Sequence, residues 1–245
     1  MGGRPKISGC LIVRDEASFL EECLARLWKA VDEIVVVDTG STDNTVNIAQ
    51  RMGARVYHHQ WKDDFAEARN VALGYATHPW IFVIDADEYI DESTLGLLDE
   101  LASPKADAYF IDVVNFPDDD DNRTISHHVS IFRNRPDFRY SGAIHEAITP
   151  SIVRAGGSLA HLPIRVLHYG YDPDVRARKN KLDRNRAIIL KQLRKQSNDP
   201  MLNYYMAQEC SVASDFEGAV KYYRRALWAA WPRKASFAPA AAVRL

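Results

Sequence analysis

The stretch "EIVVVDTGSTDNTVNIAQRMGARVYHH", Glu33 to His59, decides the fold. EIVVVD is nearly all β-branched, as suits a strand covered on both faces in a parallel sheet. Thr45, Ile48, Ala49 and Met52 then recur at helical spacing, with Ser41 placed to cap the helix and Gly53 to stop it. ARVYHH (Ala54–His59) reads as the next strand, so the stretch is one βαβ unit.

The same alternation extends both ways. ISGCLIV (Ile7–Val13) is strand-like and is followed by Leu20, Cys23, Leu24 and Leu27 on one helical face. Downstream, Phe65, Ala68, Ala72, Leu73 and Ala76 form another helical stripe that ends near Pro79, and WIFVID is a fourth strand. Repeated βα units predict an α/β fold with a parallel, doubly wound sheet. After Asp91 the pattern changes. Ser93–Ala102 reads as a helix. Ala108–Phe116, His128–Arg133 and Ile164–Tyr169 read as strands with antiparallel pairing, and PDDDDN (Pro117–Asn122) as an exposed turn. From Asp174 a basic helix follows, with Leu182, Arg186, Ile189, Leu190 and Leu193 as its seam. Beyond Asp199, Phe216, Ala219, Val220, Tyr223 and Leu227 mark a helical face, and Ala207 and Ala226 supply small residues as in a tetratricopeptide helical pair. One such pair is not stable alone, so it docks, forms a homodimer or belongs to a longer array. The expected domains are 1–172, a basic connecting helix 173–198, and a helical pair 199–245.

Bulk properties bound the function. The 245 residues are 47% apolar and 26% charged with a net charge of −2, which gives no push toward nucleic acid. No apolar run approaches the ~18 residues of a membrane span. MGGRPKISG lacks the apolar core of a secretory leader. Cys10, Cys23 and Cys210 show no CxxC spacing and read as free thiols of a cytoplasmic protein.

Ligands of open α/β sheets bind beyond the carboxyl ends of the strands. Arg14, Asp15 and Glu16 follow the first strand, Asp38 ends the second, and Asp85, Asp87 and Glu88 follow the fourth. Phosphate cradles of the GxxxxGK[ST] or GxGxxG type are missing. Acids so close together repel and are costly to bury, so a hard divalent cation between them and a diphosphate would suit Asp85 and Asp87.

"SGCLIVRDEASFLEECL", "VDEIVVVDTGSTDNT", "DFAEARN" and "WIFVIDADE" together resemble the family 2 glycosyltransferases of the GT-A fold, over about residues 6–172. With "IHE", "LHYGYDP", a basic helix and the tetratricopeptide-like tail, the layout is similar to a bacterial branch that includes lipopolysaccharide-core and bacteriocin-peptide glycosyltransferases. The resemblance implies a GT-A (Rossmann-like) mixed sheet flanked by helices, and a metal-dependent transfer from a nucleotide sugar, of the UDP class, to a saccharide or peptide acceptor. It implies that Asp38 accepts from the uracil N–H, that Arg69 faces uracil and diphosphate, and that Glu16 and the backbone around Val13 line the nucleoside. Asp85-Ala86-Asp87 matches the DXD motif, with Asp85 on the ribose and Asp87 on Mn2+ or Mg2+. His168 takes the place of a further metal ligand or diphosphate contact, and Arg176, Arg178 and Lys179 help to neutralise the leaving group. Glu146, in "SGAIHEAI", is chosen as the base that takes the acceptor's proton, which would invert the anomeric centre.

Blander readings stand beside these. Asp38 can cap its own turn, Arg69 can form a surface salt bridge, Glu88 can be a structural acid, and His168 a satisfied structural histidine. His58 and His59 read as surface or packing residues, and His127 and His128 flank a strand with no metal role expected. A sugar-1-phosphate nucleotidylyltransferase has a similar sheet but wants a glycine- and arginine-rich loop where this chain has RDEASF. A dead transferase serving as a tetratricopeptide binding module would not need Asp38, Arg69, Asp85 and Asp87 intact.

Overall fold

A computed structural model describes residues 4–116, 123–168 and 181–230. Four strands carry the parallel half: β1 (Ile7–Val13), β2 (Glu33–Asp38), β3 (Arg55–His58) and β4 (Trp80–Val83). They are joined by helices α1 (Leu20–Leu27), α2 (Thr45–Arg51) and α3 (Phe65–Tyr75). Four more strands, β5 (Glu88–Ile90), β6 (Ala108–Asn115), β7 (Thr124–Arg133) and β8 (Leu159–His168), complete a sheet of order β3-β2-β1-β4-β7-β6-β8-β5. β7 is antiparallel to β4 and β6, β6 is parallel to β8, and β5 is antiparallel to β8. The sheet is mixed, as expected.

Both faces of the parallel half are buried. Ile7, Leu11 and Val36 pack with Leu20, Leu24 and Leu27 of α1, while Cys10, Val35 and Val37 pack with Ala72 and Leu73 of α3. Leu20, Leu24 and Leu27 are fully buried, which contributes about 1.5–3 kcal/mol each. Gly9 lets α1 approach β1: a Cβ there would lie 2.9 Å from Leu27 Cδ2 and 3.3 Å from Val31 Cγ2. A Gly9→Val substitution is therefore expected to cost about 1–3 kcal/mol by overpacking, seen as a lower melting temperature. An unchanged melt would show that α1 has room to move.

Several expectations need correction. Ser41 is not the N-cap of α2. That helix starts at Thr45, Asp43 Oδ1 accepts the Thr45 N–H at 2.9 Å, and the Ser41 hydroxyl accepts the Asp15 N–H at 3.0 Å. Gly53 does end the helix, at φ +81°. Glu92–Ala102 winds as a 3-10 helix rather than an α-helix, its start capped by Asp91 on the Ser93 N–H. Strands β7 and β8 start earlier than their apolar runs suggest, and both β5 and a short helix α4 (Thr149–Arg154) escaped the sequence patterns. The PDDDDN turn lies outside the described residues.

By Cα packing the chain divides into two compact units, Met1–Arg176 and Ala177–Leu245. The second holds α5 (Lys181–Lys195), α6 (Pro200–Val212) and α7 (Phe216–Ala230). Asp199 caps α6 by accepting the Leu202 N–H at 2.8 Å. Ala207, Ala219, Tyr223 and Ala226 are buried between α6 and α7, as a tetratricopeptide pair requires. α5 joins the same unit, with Asn185 Nδ2 donating to Glu209 Oε1 at 3.1 Å. Two seam residues were misplaced: Leu190 is 40% exposed while Ile188 is buried, and Phe216 is 71% exposed. No described helix is long and apolar enough to cross a membrane. All three cysteines are buried free thiols.

Candidate active site

Register builds the site's edge. Val13 pairs with Asp38 at the carboxyl ends of β1 and β2, and Cys10 pairs with Val83 at the end of β4. The loops beyond β1 and β2 are stitched together: Asp15 Oδ1 accepts the Thr42 N–H at 2.7 Å, Asp43 Oδ2 accepts the Ala17 N–H at 3.1 Å, and Thr45 Oγ1 accepts the Glu16 N–H at 2.7 Å. Asp15 takes a left-handed backbone, φ +54°, to do this. The Val13 carbonyl accepts the Thr39 N–H at 2.9 Å. Asp38 is 4% exposed, and its carboxylate accepts from the Ser41 N–H at 3.0 Å and the Gly40 N–H at 3.2 Å, with His58 Nδ1 at 3.2 Å. Burial alone would raise its pKa, but the Ser41, His58 and Gly40 donors outweigh it and hold Asp38 below the usual carboxylate range. The turn-capping reading of Asp38 is thus realised.

The acid cluster sits where β4 gives way to β5. Glu88 Oε2 accepts the Asp85 N–H at 2.9 Å, so Glu88 is structural, holding the turn. β5 runs antiparallel to β8, with Glu88 opposite His168, and this pairing delivers His168 to the cluster from eighty residues away. His168 Nε2 lies 3.7 Å from Asp87 Oδ2, and Asp87 is 7% exposed. His168 Nδ1 is 2.9 Å from Asn115 Oδ1. Asn115 Nδ2 faces the Val113 and Thr124 carbonyls at 3.4 Å, which fixes Oδ1 as the acceptor. The His168 proton therefore sits on Nδ1 and Nε2 is turned to Asp87, the arrangement of a metal-binding imidazole with its outer hydrogen bond in place.

Arg69 lies between the two halves of the site. Its Nη2 donates to Asp85 Oδ1 at 2.9 Å and its Nε to Glu146 Oε1 at 2.6 Å. It is buried, not a surface salt bridge, and its guanidinium lies over the Tyr140 ring at 5.6 Å. Asn70 explains the meeting: its side chain both donates to the Tyr140 carbonyl and accepts the Tyr140 N–H, each at 2.9 Å, and Phe65 N–H donates to the Ala143 carbonyl. The segment carrying Glu146 is thereby tied along α3. Arg69 Nη1 is buried with no hydrogen-bond partner. A buried unpaired donor on a cation costs free energy unless an anion meets it. His128 also stands on this face, close enough to Asp85, His168 and Arg69 to feel their charges. Desolvation lowers its pKa against the pull of Asp85.

Glu88 has its pKa pushed up to about 8, first by burial and then by Asp85. The His168 pKa is also raised: burial lowers it, but the Asp87 hydrogen bond and the Asp87, Glu88 and Asp85 charges win. Both groups bind protons more tightly folded than unfolded. Their contribution to stability is therefore fully present below the unfolded pKa values and is lost as pH rises, for Glu88 between about 4.5 and 8. We expect metal-free protein to melt lower at pH 8 than at pH 5, and Glu88→Gln to remove much of that slope. A parallel decline in the variant would remove Glu88 as its source.

Residues 8–156 match the family model of glycosyl transferase family 2. The chain is a family 2 glycosyltransferase. A TPR repeat-containing protein of Synechococcus elongatus is 34% identical over 229 residues, 91% of this chain and 56% of that one. The SPbeta prophage-derived glycosyltransferase SunS of Bacillus subtilis is 27% identical over 91% of this chain and 53% of its own length. The glycosyltransferase thus spans little more than half the length of these relatives. Among solved structures, S. aureus TarS 1-349 in complex with UDP superposes with a TM-score of 0.56 at 15% identity, covering 98% of this chain and 86% of that one. The mannosyltransferase PcManGT of Pyrobaculum calidifontis, in complex with GDP-Man and Mn2+, gives 0.56 at 19%, covering 98% and 79%. The fold is GT-A.

In this glycosyltransferase the structure brings Arg69, Asp85, Asp87, Glu146 and His168 together, with Ala86 buried beneath them. Val13, Glu16 and Asp38 form the neighbouring edge. Arg176, Arg178 and Lys179 lie outside the described residues. Sequence reading missed Asn115, Tyr140 and the Asp15–Asp43 stitching. Only the period-2 position of Asn115 in its strand hinted that it faces a site.

Proposed function

We propose that this glycosyltransferase moves a sugar from a UDP-class nucleotide sugar to a saccharide or peptide acceptor, with inversion and with a divalent cation. The observation that carries it is the His168–Asp87 pair, with the imidazole tautomer set by Asn115. The fit of the absent groups is supported by two features: the unpartnered Arg69 Nη1, suited to a diphosphate, and an acid cluster in which burial, and then the charge of Asp85, raise the Glu88 pKa. Asp87 and His168 would hold the cation, and an imidazole–carboxylate set suits Mn2+ better than Mg2+. Bound there, the cation would stabilise charge on the leaving diphosphate. The UDP bound by TarS supports a uridine nucleotide, and the GDP-Man bound by PcManGT supports a nucleotide-sugar donor more broadly.

In this reading Asp85, Asp38, Glu16 and the Val13 backbone border the nucleoside, and Arg69 binds the diphosphate. The acceptor oxygen attacks the anomeric carbon from the side opposite the diphosphate. Its proton passes to Glu146, the carbon–oxygen bond to the diphosphate breaks, and UDP departs with the bonding pair. Arg69 Nε meets Glu146 Oε1 at 2.6 Å, which orients the carboxylate for that transfer. The helical hairpin favours a peptide acceptor, because such pairs build concave surfaces for chains. The test is UDP release from a panel of UDP-sugars with and without Mn2+. Metal-dependent release from at least one sugar is expected. No release from any, together with no UDP binding by calorimetry, would overturn the proposal.

A further inference from the structure

A second metal-ligating constellation lies on the opposite face of the sheet. Asp112, His127 and His161 stand on the adjacent strands β6, β7 and β8, with their ligand atoms all within 4.8 Å of one another. Asp112 Oδ1 meets both imidazoles, His127 Nδ1 at 3.0 Å and His161 Nε2 at 2.7 Å. Strand alternation separates this cluster from the donor edge. Asn115, which holds His168, and Ser126, which bonds Asn115 at 3.3 Å, point one way, while Asp112 and its register partner His127 point the other. Arg165, across from Asp112 in register, is drawn away by Asp91 at 2.8 Å. Its cation therefore does not compete for the Asp112 carboxylate.

We propose that Asp112, His127 and His161 form a surface site for a transition-metal dication of the Zn2+ class. Two imidazoles and a carboxylate are the donor set of three-ligand zinc sites, which leave a fourth position open to water or a further ligand. Tetrahedral Zn2+ with bonds of about 2.0–2.1 Å sets its ligand atoms roughly 3.3 Å apart, so the present contacts need to open by only a few tenths of an ångström. The rings are accessible, with side chains 57% exposed at His127 and 50% at His161, while Asp112 is 17% exposed and anchors them. They also stand on rigid strands, which keeps the triad assembled before the metal arrives. A bound metal would clamp β7, β6 and β8 together, the strands that carry Asn115 and His168 on their other face. The proposal departs from the sequence expectation of no metal role for His127: its partners are Asp112 and a histidine thirty-four residues away, invisible in linear spacing.

The test is calorimetric titration of Zn2+ into the full chain carrying Asp87→Asn, which disables the donor-edge site. One Zn2+ bound is expected. Adding Asp112→Asn or His161→Ala should weaken it by about a hundredfold or more, since even loss of an outer hydrogen-bond partner costs up to that. Binding should also weaken as pH falls, because protons compete with the metal for its ligand atoms. Asp112→Asn preserves shape, and melting curves confirm that each variant is folded. Absence of Zn2+ binding in the Asp87→Asn protein, or binding that both further substitutions leave unchanged, overturns the site.

Discussion

Asp87→Ala is expected to abolish metal-dependent binding of UDP while the protein stays folded. Asp87 is 7% exposed and stands between His168 and the acids at 85 and 88, so its charge is costly where nothing compensates it. Removing it takes away a smaller contribution to the raised pKa of Glu88, which is pushed up to about 8 first by burial and then by Asp85, and metal-free stability should hold or rise. Activity moves the other way. Loss of a cation's stabilisation of the leaving group removes several kcal/mol from the transition state, about a thousandfold or more in rate. Calorimetry with UDP and Mn2+ reads the binding, and UDP release with an active donor reads the rate. Mn2+-dependent UDP binding equal to that of the wild type would falsify the assignment. A variant that melts much lower than wild type would instead make Asp87 a structural acid.

The parallel half of the fold was legible because one periodicity governs each element. β2 is β-branched throughout and buried on both faces, and α1 shows its buried stripe at Leu20, Cys23, Leu24 and Leu27. The strand-end acids were equally legible, since their position follows from where the strands stop. Short elements were not. Three residues of β5 carry no period, yet that strand pairs Glu88 with His168 and so assembles the metal pair. Ser41 carried a helix-start signal, but the adjacent Asp43 bonds the Thr45 N–H and releases Ser41 to tie two loops. Phe216 fits the helical stripe of α7 yet stays exposed, because Ala219, Tyr223 and Ala226 already fill the contact with α6. Linear spacing also hides pairings across strands, and this is why Asn115 behind His168, and Asp112 between two histidines, emerged only from register.

Glu146→Gln separates two roles that the Arg69 contact leaves entangled. Glu146 Oε1 accepts from Arg69 Nε at 2.6 Å, so this carboxylate could serve only to orient the guanidinium. Glutamine keeps the shape and an acceptor oxygen but cannot take a proton. If Glu146 is the base, kcat should fall by about 10²–10⁴ while UDP affinity is retained. Affinity is expected to hold or tighten, because neutralising one of the two carboxylates on Arg69 leaves more of its charge for the diphosphate. If Glu146 only holds Arg69, the loss should instead appear as weaker donor binding with kcat nearly intact. The pH profile adds an independent reading: a carboxylate general base leaves an acid limb in kcat/KM that disappears with Glu146→Gln. A variant transferring sugar at the wild-type rate, with that limb unchanged, removes Glu146 from proton transfer and points to another acceptor on the same face, where His128 feels the charges of Asp85 and His168.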